Sequence, residues 1–240
     1  MNPPADAMVP FTEATTGYWQ RLLSPDEVMQ PEPPWRYGVP APLPDGRALL
    51  LPIRPLPRLA GQPQDGVASL LVNQASLAVS DALGALLAAR LAALQPEVLV
   101  ALPTLGLTLG AAVARALGHS RFVPMGTSRK FWYDERLSSA VVSITTPGAP
   151  KQLYLDPHLR PLVQGKRVVL IDDVISTGST AGPAWTLLEH LGAQVLALAV
   201  AMRQGRRWVE ALGVERARHV VAVCDSPLLR LTDEGWVPRD

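Results

Sequence analysis

Residues 168–180, Val-Val-Leu-Ile-Asp-Asp-Val-Ile-Ser-Thr-Gly-Ser-Thr, constrain the fold more than any other stretch of the chain. The apolar run Val168 to Ile171 reads as a buried strand, with Asp172 and Asp173 side by side at its carboxyl end. A short loop of hydroxyl residues and one glycine follows, and then a helix begins. In an open α/β sheet the crevice beyond the strand ends is where ligands bind. The loop can offer several backbone N–H groups to one phosphate, and the helix N-terminus adds the positive end of its dipole. Ser176, Thr177, Ser179 and Thr180 can add hydroxyl donors, and Gly178 permits the close approach or positive φ that such a nest needs. Carboxylates just behind the phosphate suit the vicinal hydroxyls of a sugar. The stretch is built like a cradle for ribose 5-phosphate.

The rest of the chain bounds the context. At 240 residues, 48% of them hydrophobic, it can build a full core as one large domain or one domain with an extension. A net charge of +1 gives no global pull toward nucleic acid or an anionic membrane. The single cysteine, Cys224, precludes an internal disulfide, points to a reducing, cytoplasmic setting, and lies in an apolar run that marks it as core. The histidines His119, His158, His190 and His219 show no metal-ligand spacing. No apolar run approaches the ~18 residues of a membrane span, and no basic-then-apolar leader opens the chain.

Ten of the 24 prolines fall before residue 45, a density that breaks regular structure. Residues 1–34 therefore read as a Pro-rich arm, ordered in part by Tyr18, Trp19, Leu22 and Leu23. Residues 35–53 read as a hairpin turning at Pro44-Asp45-Gly46. A helix is expected from Ser76 to Leu94, with Leu83, Leu86, Leu87, Leu91 and Leu94 on one apolar face and Pro96 as its stop. Further strands are expected at Val98–Leu102, Arg121–Met125, Gln152–Leu155, Val195–Ala201 and, last, Val220–Cys224, with one more within Ala140–Ile144. Helices are expected at Leu107–Leu117, Thr180–Leu191 and Arg206–Leu212. Strands alternating with helices imply an α/β fold with an open, parallel, doubly wound sheet.

The 168–180 segment resembles the phosphoribosyl-pyrophosphate signature of type I phosphoribosyltransferases, matching without a gap. A strand ending in Asp-Asp also occurs in receiver domains and nucleotide hydrolases, but the latter need a Gly-rich loop ending Gly-Lys-Ser/Thr, which is missing here. Three further stretches resemble the adenine/xanthine branch. Val98–Thr108 occupies the place of the pyrophosphate loop, often built around a non-proline cis peptide. Phe122-Val123-Pro124 with Ser128-Arg129-Lys130 resembles the segment before the mobile loop. Gln204-Gly205-Arg206-Arg207 leading to Leu212 resembles a downstream Gly-Arg segment. Together the resemblance spans about residues 48–225, with the base hood implied at 35–75 and the core at 76–225.

By this resemblance, Asp172 and Asp173 bind the ribose hydroxyls. Ser176, Thr177, Gly178, Ser179 and Thr180 hold the 5′-phosphate. Thr104, Leu105, Gly106, Arg129 and Lys130 hold the pyrophosphate, and one of Val174 and Ile175 packs on the base. Mg²⁺ comes bound to the donor rather than to a protein cage, near Asp172 and Asp173. The partners implied are phosphoribosyl pyrophosphate and a nucleobase, with no nucleic acid, no membrane and a homodimeric assembly. Two departures stand out. The pyrophosphate loop reads Thr104-Leu105-Gly106-Leu107 where adenine-type enzymes commonly carry Ala-Arg-Gly-Phe. Thr145-Thr146-Pro147-Gly148 stands where they carry Glu-Tyr-Gly, and the nearest carboxylates are Asp134, Glu135 and Asp156. Residues 126–150 are expected to form a lid, the aromatics Phe131, Trp132 and Tyr133 at its root to pack. Arg203, Arg206, Arg207, Arg216 and Arg218 are expected to form a solvated basic face or a subunit contact. The expected activity is transfer of ribose 5-phosphate to a purine. The alternatives are a non-catalytic sensor that keeps the cradle and a transferase with a non-purine acceptor.

Overall fold

A computed structural model describes residues 10–58, 61–141 and 151–239. The arm packs down through Tyr18, Trp19 and Leu23, all buried, and the Trp19 indole donates to the Ser69 carbonyl at 3.1 Å. Strands β1 (Gly38–Pro42) and β2 (Ala48–Pro55) form the expected antiparallel hairpin, with Gly46 at φ +86° in the turn. A short strand that the sequence did not announce, β3 (Asp65–Ala68), pairs with β2.

Helix α1 (Leu77–Leu91) starts at Ser76, whose side chain accepts the Val79 amide at 3.1 Å. Leu83, Leu87 and Leu91 are fully buried, as their spacing requires. Leu94 departs from the expected face: the helix proper stops at Leu91, a 3₁₀ turn follows, and Leu94 is exposed. One apolar stretch, Leu77–Leu94, does have the length to cross a membrane, at a mean hydropathy of 1.7. Here its inward residues join the α2 and sheet side chains in one core.

Strand β4 (Val98–Ala101) leads to helix α2 (Gly106–Ala116) and the two-residue β5 (Val123–Pro124), shorter than expected. β6 (Ser138–Val141) and β7 (Lys151–Tyr154) form a separate antiparallel pair, and the turn α3 (Arg160–Val163) follows. The signature strand is β8 (Arg167–Ile175), which runs on through both aspartates before helix α4 (Ala181–His190). β9 (Gln194–Gln204) precedes the short helices α5 (Arg207–Leu212) and α6 (Val214–Ala217). β10 (Val220–Ser226) is not the last strand: β11 (Leu228–Leu231) and β12 (Trp236–Arg239) come after it.

The central sheet has the order β10-β9-β8-β4-β5, parallel throughout. Val168, Val169, Leu170 and Ile171 in its middle are fully buried, each contributing about 1.5–3 kcal/mol of apolar burial. Val169 and Ile171 pack with α1 and α2, whereas Val168 and Leu170 pack with α4, so the sheet is covered on both faces. Connectivity reverses between β4 and β8, and that switch point is where the crevice opens. The second sheet, ordered β1-β2-β3-β11-β12, is antiparallel and uses chain from both sides of the central domain. It is tied to the carboxyl end of β9 by Gln204, whose buried amide donates to the Ala68 carbonyl at 2.8 Å.

Candidate active site

Two loops meet at the switch point. The first leaves β4: the Leu102 amide donates to the Ile171 carbonyl at 2.8 Å, tethering it to β8, and the Pro103–Thr104 peptide is cis. It delivers Gly106 to the start of α2, directly against Asp172. A β-carbon on Gly106 would lie 2.9 Å from both the Cα and Oδ1 of Asp172, so this approach requires glycine. The second loop, 176–180, leaves β8. The Thr177 and Ser179 hydroxyls are 3.0 Å apart, and Gly178 sits at φ +76°. No side chain caps α4; the Gly182 amide is taken by the Gly178 carbonyl at 2.9 Å and Pro183 carries none, so the Ala181 amide is the first-turn donor left for an incoming anion.

Asp172 and Asp173 are adjacent on β8, and the Asp173 amide donates to Asp172 Oδ1 at 3.0 Å. Asp173 is buried, and that burial pushes its carboxyl up to about 6. Burial, reinforced by the neighbouring charge of Asp173, holds Asp172 well above the usual carboxylate range. Two adjacent buried carboxyls resist carrying two charges unless a ligand donates hydrogen bonds to them.

A cavity of about 420 Å³ joins these parts. Asp172, Val174 and Ile175 form its floor, and Ser176, Thr177, Gly178, Ser179 and Thr180 line one end. Five chain segments thus converge on one hollow, because the opposite wall brings residues that the motifs did not identify. Leu56, Asp65, Gly66 and Val67 come from the β2–β3 region, and Leu228 and Arg239 from β11 and β12. Asp65 accepts from Arg230 at 3.3 Å and is also ion-paired with Arg239. Gln204, Arg206 and Arg207 complete the wall beside the 176–180 loop. The last two are exposed, as a solvated basic face would be, and they also border the cavity. Arg203 is spent on Asp225, Arg216 on Glu189 and Arg218 on Glu215, whereas Arg206 and Arg207 border the cavity.

Other expected site residues lie outside this hollow. Thr104, Leu105 and Gly106 do not line it, although Gly106 touches Asp172. Asp173 is buried and does not line it either. Arg129 and Lys130 are exposed, and Arg129 is paired with Glu135 at 2.8 Å. Of the expected lid, 142–150 falls outside the described residues, including Thr145-Thr146-Pro147-Gly148. The nearest carboxylates are all engaged: Asp134 by Arg136, Glu135 by Arg129, and Asp156 by the Trp132 indole and His158. Packing of the aromatic trio is realised at Tyr133, which lies against Tyr154, but Phe131 is 96% exposed and touches Trp132 edge-on.

Known proteins resemble this chain in sequence and in fold. The adenine phosphoribosyltransferase of Beijerinckia indica subsp. indica is 36% identical over 113 residues, covering 45% of this chain and 59% of that protein. The enzyme of that name from Nocardioides sp. is 38% identical over 100 residues, covering 42% and 50%. The chain thus spans half to three-fifths of the curated relatives it matches. Among solved structures, the adenine phosphoribosyltransferase of Rhodothermus marinus superposes with a TM-score of 0.54 at 21% identity, over 72% of this chain and 93% of that one. The Giardia lamblia enzyme complexed with 9-deazaadenine gives 0.56 at 19%, over the same shares. At such identities the likeness is one of fold. The family model described as the phosphoribosyl transferase domain matches residues 67–218, from β3 through α6 and so across both the Pro103–Gly106 and the 176–180 loops, and the chain belongs to that family.

Proposed function

We propose that this chain transfers the 5-phosphoribosyl group of phosphoribosyl pyrophosphate to a nitrogen of a purine base, releasing pyrophosphate. The observation that carries this reading is the single cavity in which Asp172 and Val174 meet the 176–180 loop on one side and Asp65, Gly66 and Val67 on the other. The 5′-phosphate rests on the loop amides and hydroxyls. Asp172 and Asp173 accept hydrogen bonds from the ribose hydroxyls, which orients C1 toward the base. The base lies between Val174 and the β3 segment. Its nitrogen attacks C1 as the bond to the diphosphate oxygen breaks, and the sugar passes through a carbocation-like state that must be kept from water. Arg129 and Lys130, with the backbone of Thr104, Leu105 and Gly106, are assigned to the departing diphosphate. The adenine in the relatives' names supports a purine acceptor.

No group of three or more His, Cys, Asp or Glu side chains among the described residues forms a metal cage. Two carboxylates at the ribose end do fit a cation that arrives on the donor's own oxygens. When bound, Mg²⁺ would sit beside Asp172 and Asp173 and supply positive charge to the diphosphate. A homodimer in a reducing compartment belongs to the same reading.

The test is pyrophosphate release from phosphoribosyl pyrophosphate with Mg²⁺ against a panel of free bases. Release that depends on adenine or another purine is the expected outcome. Release with a pyrimidine alone would overturn the purine assignment, and no release with any base would overturn the transferase.

A further inference from the structure

We infer that Arg206 and Arg207 are a side-chain arm of the phosphate subsite, gripping the 5′-phosphate ester from beside the 176–180 loop. The inference rests on the reading of that loop as the phosphate cradle and adds residues to it. Both arginines are exposed and line the cavity, and neither is paired with a described residue. Their surroundings make this distinctive. Arg203 is held by Asp225 at 2.6 Å and Arg216 by Glu189 at 2.6 Å. Arg230 and Arg239 on the facing wall share Asp65. Of these six arginines, Arg206 and Arg207 alone have no carboxylate partner among the described residues, and they stand beside the phosphate loop.

The backbone that carries them is fixed. The buried Trp208 indole donates to the Gly205 carbonyl at 3.0 Å, and the Gly205 amide donates to the Ser226 carbonyl at 2.9 Å. The phosphate loop rests on the same element: a β-carbon on Gly178 would lie 3.2 Å from Ala211 Cβ and 3.5 Å from the Trp208 carbonyl oxygen. Loop and arginines are therefore held at one spacing while the guanidinium groups stay free. Helix stability does not account for their placement, because positive charge at the start of α5 opposes its dipole. A phosphate monoester carries close to two negative charges at neutral pH, and guanidinium forks match its oxygens two at a time. The loop itself contributes no basic side chain, so Arg206 and Arg207 supply the charge that its amides and hydroxyls lack.

The experiment is calorimetric titration of ribose 5-phosphate and, separately, inorganic pyrophosphate into wild type, the Arg206→Gln/Arg207→Gln double variant and the corresponding double Lys variant. Circular dichroism checks that each is folded. Glutamine at both positions should weaken ribose 5-phosphate binding about 10- to 100-fold and flatten its dependence on salt. Lysine should recover part of the loss, and pyrophosphate affinity should stay within about twofold. Unchanged ribose 5-phosphate affinity in the folded glutamine variant overturns the inference alone. An equal loss for pyrophosphate also overturns it, by placing the arginines at the leaving-group end. Failure of wild type to bind ribose 5-phosphate overturns both this inference and the phosphate-cradle reading beneath it.

Discussion

Gly106 packs on Asp172 so closely that a β-carbon would stand 2.9 Å from both its Cα and its Oδ1. The loop after β4 and the cavity floor are thus mechanically joined: the first turn of α2 is the backstop of the floor carboxylate. Gly106→Ala must displace either α2 or Asp172. The expected cost is about 1–3 kcal/mol of stability, with loss of donor affinity beyond what a control such as Gly118→Ala shows. Gly118 is a fair contrast because its positive φ strains a replacement while nothing crowds it within 4 Å. Denaturant unfolding and donor titration on both variants check this.

The raised carboxyls of Asp172 and Asp173 set opposite pH trends for stability and binding. An acid whose folded value lies above its unfolded one holds its proton more tightly in the folded state. Stability from this source is therefore full below the usual value of 3.8 and falls as pH rises through about 6. For Asp173 the displacement corresponds to at most about 3 kcal/mol. Thermal unfolding of wild type should lose stability across that window relative to Asp172→Asn/Asp173→Asn, which should stay folded and bind no donor. Donor affinity in wild type should rise over the same window, because the ionised pair accepts from sugar hydroxyls. A donor affinity that is flat from pH 4 to 7 would contradict the assigned role.

Burial pushes the Cys224 thiol up to about 12, and the thiol donates to the Ala201 carbonyl at 3.5 Å. The thiolate is the reactive form. A maleimide or disulfide reagent should therefore leave the native protein unlabelled at pH 7.5 and react at once in denaturant, which mass spectrometry reads directly.

Trp236 is fully buried, its indole donates to the Phe11 carbonyl at 3.2 Å, and its backbone pairs with Trp35. Its ring lies against Gly66 on the cavity wall, where a β-carbon would come within 2.6 Å. Trp236→Ala should cost about 3–5 kcal/mol and weaken base binding, leaving ribose 5-phosphate affinity nearly intact. Titration with the two ligands separates the effects.

Much of the central sheet could be read from the sequence because its signals are local. Val168–Ile171 is apolar throughout, Asp172 and Asp173 end the run, and Ser76, Gly118 and Gly192 punctuate the helices. The Pro103–Gly106 loop was legible by its position one unit before the signature. The second sheet was harder to read. Asp65-Gly66-Val67-Ala68 has little strand propensity, and its partner Leu228–Leu231 lies far along the chain, so neither segment announces the other. The walls of the cavity followed the same rule. Thr177 and Gly178 could be named from a motif, whereas Asp65, Leu228 and Arg239 reach the hollow only through long-range pairing. Arg206 and Arg207 were visible as charge, but only the identity of their neighbours' carboxylates distinguishes them from Arg203 and Arg216.

The pairing of β3 with β11 also orders events during synthesis. Asp65 and Arg230 are separated by 165 positions, and the entire phosphate loop leaves the ribosome between them. The nascent chain has a complete floor and phosphate end before it has the part of the facing wall that β11 and β12 supply. A polypeptide halted after Ser226 would carry β3 as an open edge, ready to take any free strand in place of β11.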